Sequence, residues 1–513
     1  MNYLIGTDIG TSSTKSVLMD TTGKLIAQAL IEYDVLTPKN LWAEQWASVW
    51  LAAAKQSIQE VVAKSNVAAA DIKGIGISAL YGGSGVPVDA AGAEVRPTLI
   101  WMDRRAEKQV QWVKHNIDLD RLAEITGNDI VDPYYGYTKI LWIKDNEPEN
   151  WAKIKQFLPP DTFVVQALTG ELAVNYSAAG NIGGVFDINA GTWSEELMAS
   201  LGIPATMMPD RLVSANEIAG HITVEAALEL GVAAGTPVIV GGVDVGAANV
   251  GMGVLEPGRY VAAIGTSMNA ALVSEKPIKN KGLIVWPYPY KSRALNYNFS
   301  GSATAGGITK WFRDNFAEHE LEMQRNGTGI NAYAALGEQA KDIPAGSDGL
   351  IVLPYFMGER APIWNSDAKG VIFGLSLAHS KAHVFHAFQE AVAYALRHSI
   401  ELTGEDLGDY IVIAGGVTNS VDWVQMFADV TGYAVRTPIE DAEANLGDVI
   451  LVGLATETLT LEDVKSWQVL GEKILPDPKR HERYNQYFTL YRKLYADLSE
   501  DMTILTQISN ETI

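Results

Sequence analysis

There is no cysteine anywhere in the 513 residues. That excludes disulfides, thiolate nucleophiles and zinc–thiolate centres, and it leaves the redox compartment open. No apolar run approaches the roughly 18 residues that cross a bilayer, so no membrane span is expected. The first residues lack a basic region followed by an apolar stretch. No signal peptide is therefore expected, and the default location is cytoplasmic. Positive charge is scarce: 39 Lys and Arg stand against 61 Asp and Glu, a net charge of −22. No basic stripe offsets that balance, so a nucleic-acid partner is not expected. Low-complexity tracts and long linkers are missing as well.

What remains is ordinary globular material, 47% hydrophobic and 19% charged. The length is great for one core and natural for two domains. The most chemically loaded stretch is Asp8-Ile9-Gly10-Thr11-Ser12-Ser13-Thr14-Lys15, flanked by the apolar runs Tyr3-Leu4-Ile5 and Val17-Leu18-Met19. Such runs predict two short strands joined by a loop. Gly10 lets a ligand approach the backbone amides, the hydroxyls add donors, and Lys15 adds a compact charge. All of these suit phosphate oxygens, and Asp8 suits a hard cation such as Mg²⁺. A Ser/Thr-rich turn without a ligand has the same composition. A second copy favours the phosphate reading. Ile264-Gly265-Thr266-Ser267 repeats Ile9-Gly10-Thr11-Ser12, again after an apolar run, Tyr260-Val261-Ala262-Ala263. Two such hairpins point to an internally duplicated chain that grips a polyphosphate between its halves.

Between the hairpins, strands alternate with loops and helices, the pattern of an α/β layered domain. A helix is expected through Trp46, Val49, Ala52, Ala53, Ile58 and Val61-Val62, and a buried strand at Gly74-Ile75-Gly76-Ile77-Ser78. That strand ends in Ala79-Leu80-Tyr81-Gly82-Gly83-Ser84-Gly85, where ligands of such sheets lie. Val86-Pro87-Val88-Asp89 resumes extended structure, and Thr98-Leu99-Ile100-Trp101 is a further strand before Met102-Asp103-Arg104-Arg105 and a helix. Residues 132–145 read as a loop running into an amphipathic helix. Tyr134, Tyr135 and Tyr137 suit a sugar site or a core equally well.

The strand Pro237-Val238-Ile239-Val240 runs through Gly241-Gly242-Val243 into Asp244. A carboxylate there is costly unless it has a task or a partner. It reads either as a catalytic group or as the start of a helix over Val245-Gly246-Ala247-Ala248. Further on, Gly301 to Gly307 precedes a helix through Ile308, Trp311 and Phe312, and Leu350 to Tyr355 runs into Gly358-Glu359-Arg360-Ala361-Pro362. Tyr410-Ile411-Val412-Ile413-Ala414 closes in Gly415-Gly416-Val417-Thr418-Asn419-Ser420. Gly pairs after strands leave room for a base and ribose, or serve as turns. Residues 457–513 read as a charged, helical, surface-packed end.

In this order the motifs resemble the FGGY carbohydrate kinases, within the superfamily that unites sugar kinases, the Hsp70 chaperones and actin. Those carrying the resemblance are Asp8 to Lys15, Trp42-Ala43-Glu44-Gln45, Trp101 to Arg105, Gly241 to Asp244, Gly265 to Ser267, Gly358 to Pro362 and Ala414 to Ser420. Trp423, Gln425, Ala428-Asp429 and Glu443 follow with the family's spacing. The resemblance implies an α/β fold of two ribonuclease-H-like, actin-like ATPase domains, residues 1–243 and 244–513, with a cleft between them. It implies ATP, Mg²⁺ and transfer of the γ-phosphoryl group to a hydroxyl of a sugar or polyol. By matching position, Gly10, Thr11, Ser12, Ser13 and Lys15 would hold phosphates from one side, with Asp8 positioning the metal. Gly265 and Thr266 would meet them from the other side, while Gly306, Lys310, Gly415, Gly416 and Ser420 would contact the nucleoside. Asp244 matches the family's base, and Tyr81, Gly82, Asp103, Tyr134 and Asp244 fall at substrate positions.

Similar kinases differ at the substrate loop. Xylulokinases usually carry Gln-Met-His-Gly, and glycerol kinases Gln-Arg-Glu, where this chain has Leu80-Tyr81-Gly82. Pro133-Tyr134 with Thr138-Lys139 is similar to glycerol kinases, whereas Trp101 to Arg105 is similar to pentulose kinases. The resemblance therefore favours a xylulokinase-like enzyme for a ketopentose. A glycerol, polyol or sugar-acid kinase and a non-catalytic sugar sensor stand as alternatives. Homodimers are common among similar kinases, though no stretch of this chain marks an interface.

Overall fold

The computed structural model describes residues 1–279, 282–361, 363–439, 443–467 and 470–510. Pro362 of the Gly358–Pro362 motif lies outside them. Two six-stranded sheets organise the chain. In the first, β1 (Tyr3–Ile9), β2 (Ser13–Asp20) and β3 (Leu25–Glu32) form an antiparallel meander. β4 (Ile72–Ala79) then pairs parallel to β1, and β5 (Pro237–Val243) parallel to β4. The short strand Gly220–His221 closes the edge.

The second sheet repeats the plan. β6 (Tyr260–Ile264), β7 (Met268–Ser274) and β8 (Asn296–Ser302) form the meander, and Ile284–Pro287 flanks it. β9 (Ile411–Ala414) pairs parallel to β6, and β10 (Val435–Arg436) parallel to β9. Each sheet thus has three antiparallel strands followed by two parallel ones. The duplication suggested by two four-residue copies extends to the topology of two domains.

With both faces of the sheet covered, Leu4, Ile5, Ile75, Ile77, Ile239 and Val240 are completely buried. Helix α1 (Ala47–Ser65) packs on β2 and β3, putting Trp50, Ala54, Ile58 and Val61 in the core. Helix α2 (Gly136–Asn146) follows the aromatic loop, and α3 (Asp244–Gly251) leaves the end of β5. In the second half come α4 (Gly306–Phe316), α5 (Lys381–Thr403), α6 (Val421–Thr431) and α7 (Ala444–Ala455). Helix α8 (Pro478–Asn510) ends the described chain. It is more than a surface layer, because Tyr484, Phe488, Tyr491 and Met502 are buried in the second core.

One packing relation crosses the halves. Helix α7 lies against β1, β4 and α3, and its Val449, Ile450, Leu451 and Val452 belong to the first core. Backbone meets backbone there. A Cβ on Gly6 would sit 1.9 Å from the Asn445 carbonyl oxygen, and one on Gly76 would sit 2.5 Å from that of Asp448. Among the described residues no helix is long and apolar enough to cross a membrane.

Candidate active site

The ends of β1, β4 and β5 and the two hairpins carry most of the candidate site residues. In the first hairpin Asp8 lies opposite Lys15 across the β1–β2 ladder and beside Ser78 of β4. The loop is therefore only Gly10 to Ser12, closed by the Gly10 N–H donating to the Ser13 carbonyl at 2.9 Å. Asp8 Oδ1 is buried and has no hydrogen-bond partner among the described residues. Burial, then the carboxylates of Asp244 and Glu443, push its carboxyl up to about 8 against the pull of Lys15. Lys15 itself forms an ion pair with Glu443, just before α7. A hollow of about 600 Å³ opens here, lined by Asp8, Gly10, Ser13, Lys15 and Glu443 among others. Ser12 is exposed, and Thr11 Oγ1 accepts a hydrogen bond from Trp101 Nε1 at 3.0 Å.

The second hairpin mirrors the first, with the Gly265 N–H donating to the Ser267 carbonyl at 2.9 Å. Gly265 and Thr266 are exposed. The Gly306 and Gly307 amides, opening α4, donate to the carbonyls of Gly265 and Thr266. A Cβ on Gly306 would meet the Gly265 oxygen at 2.5 Å, which fixes glycine there. Gly415 packs on Ile264, while a Cβ on Gly416 would meet open space. Lys310 is exposed and paired with Asp314 at 2.6 Å. Ser420 caps α6, its Oγ accepting from the Trp423 N–H.

Asp244 is the first residue of α3, reached through a bulge in β5 where the register shifts between Val240 and Gly242. Three groups hold that bulge. Asp161 accepts from the Gly242 N–H at 3.2 Å, Ser177 Oγ from the Val243 N–H at 3.1 Å, and Asn175 Nδ2 donates to Val240. Asp244 is half-buried, and its Oδ1 accepts from the adjoining Val245 N–H at 2.6 Å. Burial raises its carboxyl to about 6. This little-engaged carboxylate lies within electrostatic reach of Asp8 in the first hairpin and of Tyr134.

The expected substrate positions divide. Tyr134 is half-buried, its hydroxyl accepting from Asn181 Nδ2 at 3.3 Å. Burial pushes that hydroxyl up to about 12; Asn181 and the Arg360 charge pull it down, and Asp244 pushes it up. Gly82 abuts the Tyr134 ring, which a Cβ would approach to 2.7 Å. Tyr81 and Asp103 are engaged by the protein instead. The Tyr81 hydroxyl donates to buried Asp161, and Asp103, wholly buried, serves the Ala43 N–H at 2.7 Å and Arg105. Tyr135 and Tyr137 are core residues, each 1% exposed.

Asn181 and Asp161 were not foreseen. Asn181 Oδ1 is buried without a hydrogen-bond partner among the described residues, beside Tyr134. Its only sequence signal is a run of small residues, Ala178-Ala179-Gly180. Asp161, in the first turn of a helix, looks like an ordinary helix-start acid. Arg360 is half-buried, and no side-chain partner engages its guanidinium among the described residues.

Comparison with known proteins adds the family. The N-terminal domain model of the FGGY family of carbohydrate kinases matches residues 3–251, and the C-terminal domain model matches residues 260–456. A xylulose kinase of Bacillus subtilis is 29% identical over 514 residues, covering 98% of this chain and 99% of that protein. A gluconokinase of the same organism is 30% identical over 435 residues, 84% of this chain and 83% of its own. The crystal structure of a xylulose kinase from Rhodospirillum rubrum superposes with a TM-score of 0.90 at 27% identity, over 98% of this chain and 100% of that one. The chain belongs to the FGGY family of carbohydrate kinases and is an ATP-dependent sugar kinase.

Proposed function

We propose that the protein transfers the γ-phosphoryl group of ATP to a hydroxyl of a ketopentose-type sugar such as xylulose. One observation carries the reading: the sparsely bonded Asp244 carboxylate at the end of β5, within electrostatic reach of Asp8 and Tyr134. Phosphoryl transfer asks the protein mainly for positioning and charge neutralisation, with a carboxylate to take the hydroxyl proton. In this reading Asp244 accepts that proton, and Tyr134 and Asn181 hold the sugar. Gly10 to Ser13, Lys15, Gly265 and Thr266 hold the phosphates, and Lys15 exchanges Glu443 for a phosphate oxygen when ATP enters. Gly306, Gly415 and Gly416 leave room for the nucleoside. We divide the chain at 243/244, and closure of the two parts would exclude water from the transfer.

The residues fit Mg²⁺ through Asp8, whose buried Oδ1 lacks a partner among the described residues while Asp244 and Glu443 crowd it with negative charge. Among the described residues no three His, Asp or Glu side chains converge as a metal cage, so phosphate and water oxygens would complete the shell. When bound, the ion supplies neutralisation of phosphate charge.

A second reading takes a sugar acid as the acceptor. The Arg360 guanidinium, without an ion pair among the described residues and near Tyr134, favours it, as does the likeness to a gluconokinase. The test is ADP release with D-xylulose, glycerol, gluconate and related compounds, beside Asp244→Ala. Turnover of one compound, lost by about 10²–10⁴-fold in the variant, matches removal of a positioned base. Because the raised carboxyl of Asp244 must be ionised to act, the rate should fall as pH drops through about 6. Binding without turnover by the unaltered protein would make it a sugar sensor.

A further inference from the structure

Lys139 is a buried cation that the phosphate and base chemistry does not use. It lies in the first part of α2 with no exposed surface. Among the described residues no carboxylate pairs with it. Its Nζ instead donates to three backbone carbonyls: Gly82 at 2.8 Å, Pro133 at 2.5 Å and Tyr134 at 2.7 Å. An ammonium has three N–H groups, so all are used. A lysine held in the interior by carbonyls alone is expensive to keep. What it accomplishes is to join the loop after β4 to the loop before α2 at one atom.

Two of the joined residues, Gly82 and Tyr134, are expected acceptor positions. Gly82 adopts φ +81° and leaves the space that the Tyr134 ring and Trp101 fill. Tyr134 is also fixed at its N–H, which donates to Asp132 Oδ1 at 2.7 Å, and at its hydroxyl by Asn181. Asp132 is in turn clamped by both terminal nitrogens of Arg104. Lys139 supplies the remaining restraint, on the Tyr134 carbonyl.

We propose that Lys139 is a positioning residue for the acceptor, holding the Gly82 peptide and Tyr134 together so that the Tyr134 hydroxyl faces the substrate. This rests on the reading of Tyr134 as an acceptor contact. The charged groups facing Lys139 are Asp103 and Asp132, which favour the ammonium, and Arg104 and Arg105, which oppose it. Burial opposes it most and brings it down to about 7. The amine formed above that pH has two N–H donors for three carbonyls, so one tie is lost as pH rises.

The test compares Lys139→Met and Tyr134→Phe with the unaltered enzyme, using D-xylulose and gluconate as acceptors. Lys139→Met should raise the acceptor KM at least about tenfold, as a displaced contact does, with the KM for ATP within twofold. In the unaltered enzyme the acceptor Kd, measured by calorimetry, should weaken between pH 6 and 8, and that change should be absent in Lys139→Met. The proposal is overturned if Lys139→Met leaves the acceptor KM within twofold while Tyr134→Phe raises it. If Tyr134→Phe is also silent, the reading of Tyr134 falls and the proposal with it. Should Lys139→Met not fold, a flat acceptor Kd across pH 6–8 in the unaltered enzyme overturns it alone.

Discussion

At the scale of single residues, the site shares its neighbourhood with acids that the fold holds out of water. Asp448 of α7 is wholly buried, its Oδ2 taking the Ser78 hydroxyl at 2.7 Å and N–H at 3.2 Å. Its Oδ1 has no hydrogen-bond partner among the described residues and faces Gly241, where a Cβ would come within 2.1 Å. Burial holds this carboxyl well above the carboxylate range, and Asp161 and Glu390 are each raised to about 7 for the same first reason. For a folded pKa above the unfolded one, the stabilising contribution is complete below the unfolded value and is lost as pH rises through the folded value. The urea midpoint should therefore fall between pH 5 and pH 8. Asp448→Asn keeps the acceptor for Ser78 and removes the ionisation. It should flatten that slope and add on the order of 1–3 kcal/mol at pH 8, read from urea titrations at the two pH values. An unchanged slope in the variant would assign it to other groups.

At the scale of elements, the hairpins and the β5 bulge place the candidate site residues. Both hairpins were legible because Ile-Gly-Thr-Ser between apolar runs is a local signal, and both are hairpins joining antiparallel strands. The strand before Asp244 was legible for the same reason, and so was the helix that follows it. The bulge was not. It depends on Asp161, Asn175 and Ser177, residues more than 60 positions away in sequence. The substrate loop shows the same limit. Tyr81 and Asp103 stand beside strand ends as read, but tertiary partners turn their polar atoms inward. Gly242 tests the bulge. It adopts φ +89°, and a Cβ there would lie 2.3 Å from Ser177 Oγ. Gly242→Ala should cost more than about 1 kcal/mol and displace Asp244. The kcat should fall while ATP still raises the melting temperature. A variant with full kcat would mean that the bulge does not set the position of the base.

At the scale of the molecule, residues 428 positions apart meet beside the first hairpin. Lys15 pairs with Glu443, and α7 completes a core begun by β1. Neither relation was visible in sequence, where the natural division falls between the duplicated hairpins. The fragment 1–255 therefore lacks the helix that covers its sheet, although a family model spans most of it. Expressed alone, it should show no cooperative urea transition, and adding a peptide of residues 440–470 should restore one. A cooperative transition without the peptide would show that α7 is dispensable to the first core.

That late helix also sets a schedule. A ribosome that has completed Val243 must still make the chain through Ala455 before α7 exists, about 10–40 s at roughly 5–20 residues per second. Throughout that interval the first sheet carries an uncovered face containing Gly6 and Gly76, shaped to receive a helix backbone. The nascent protein is thus an open template for about two-fifths of its synthesis, and its yield in a cell depends on what shields that face until Ala455 has been added.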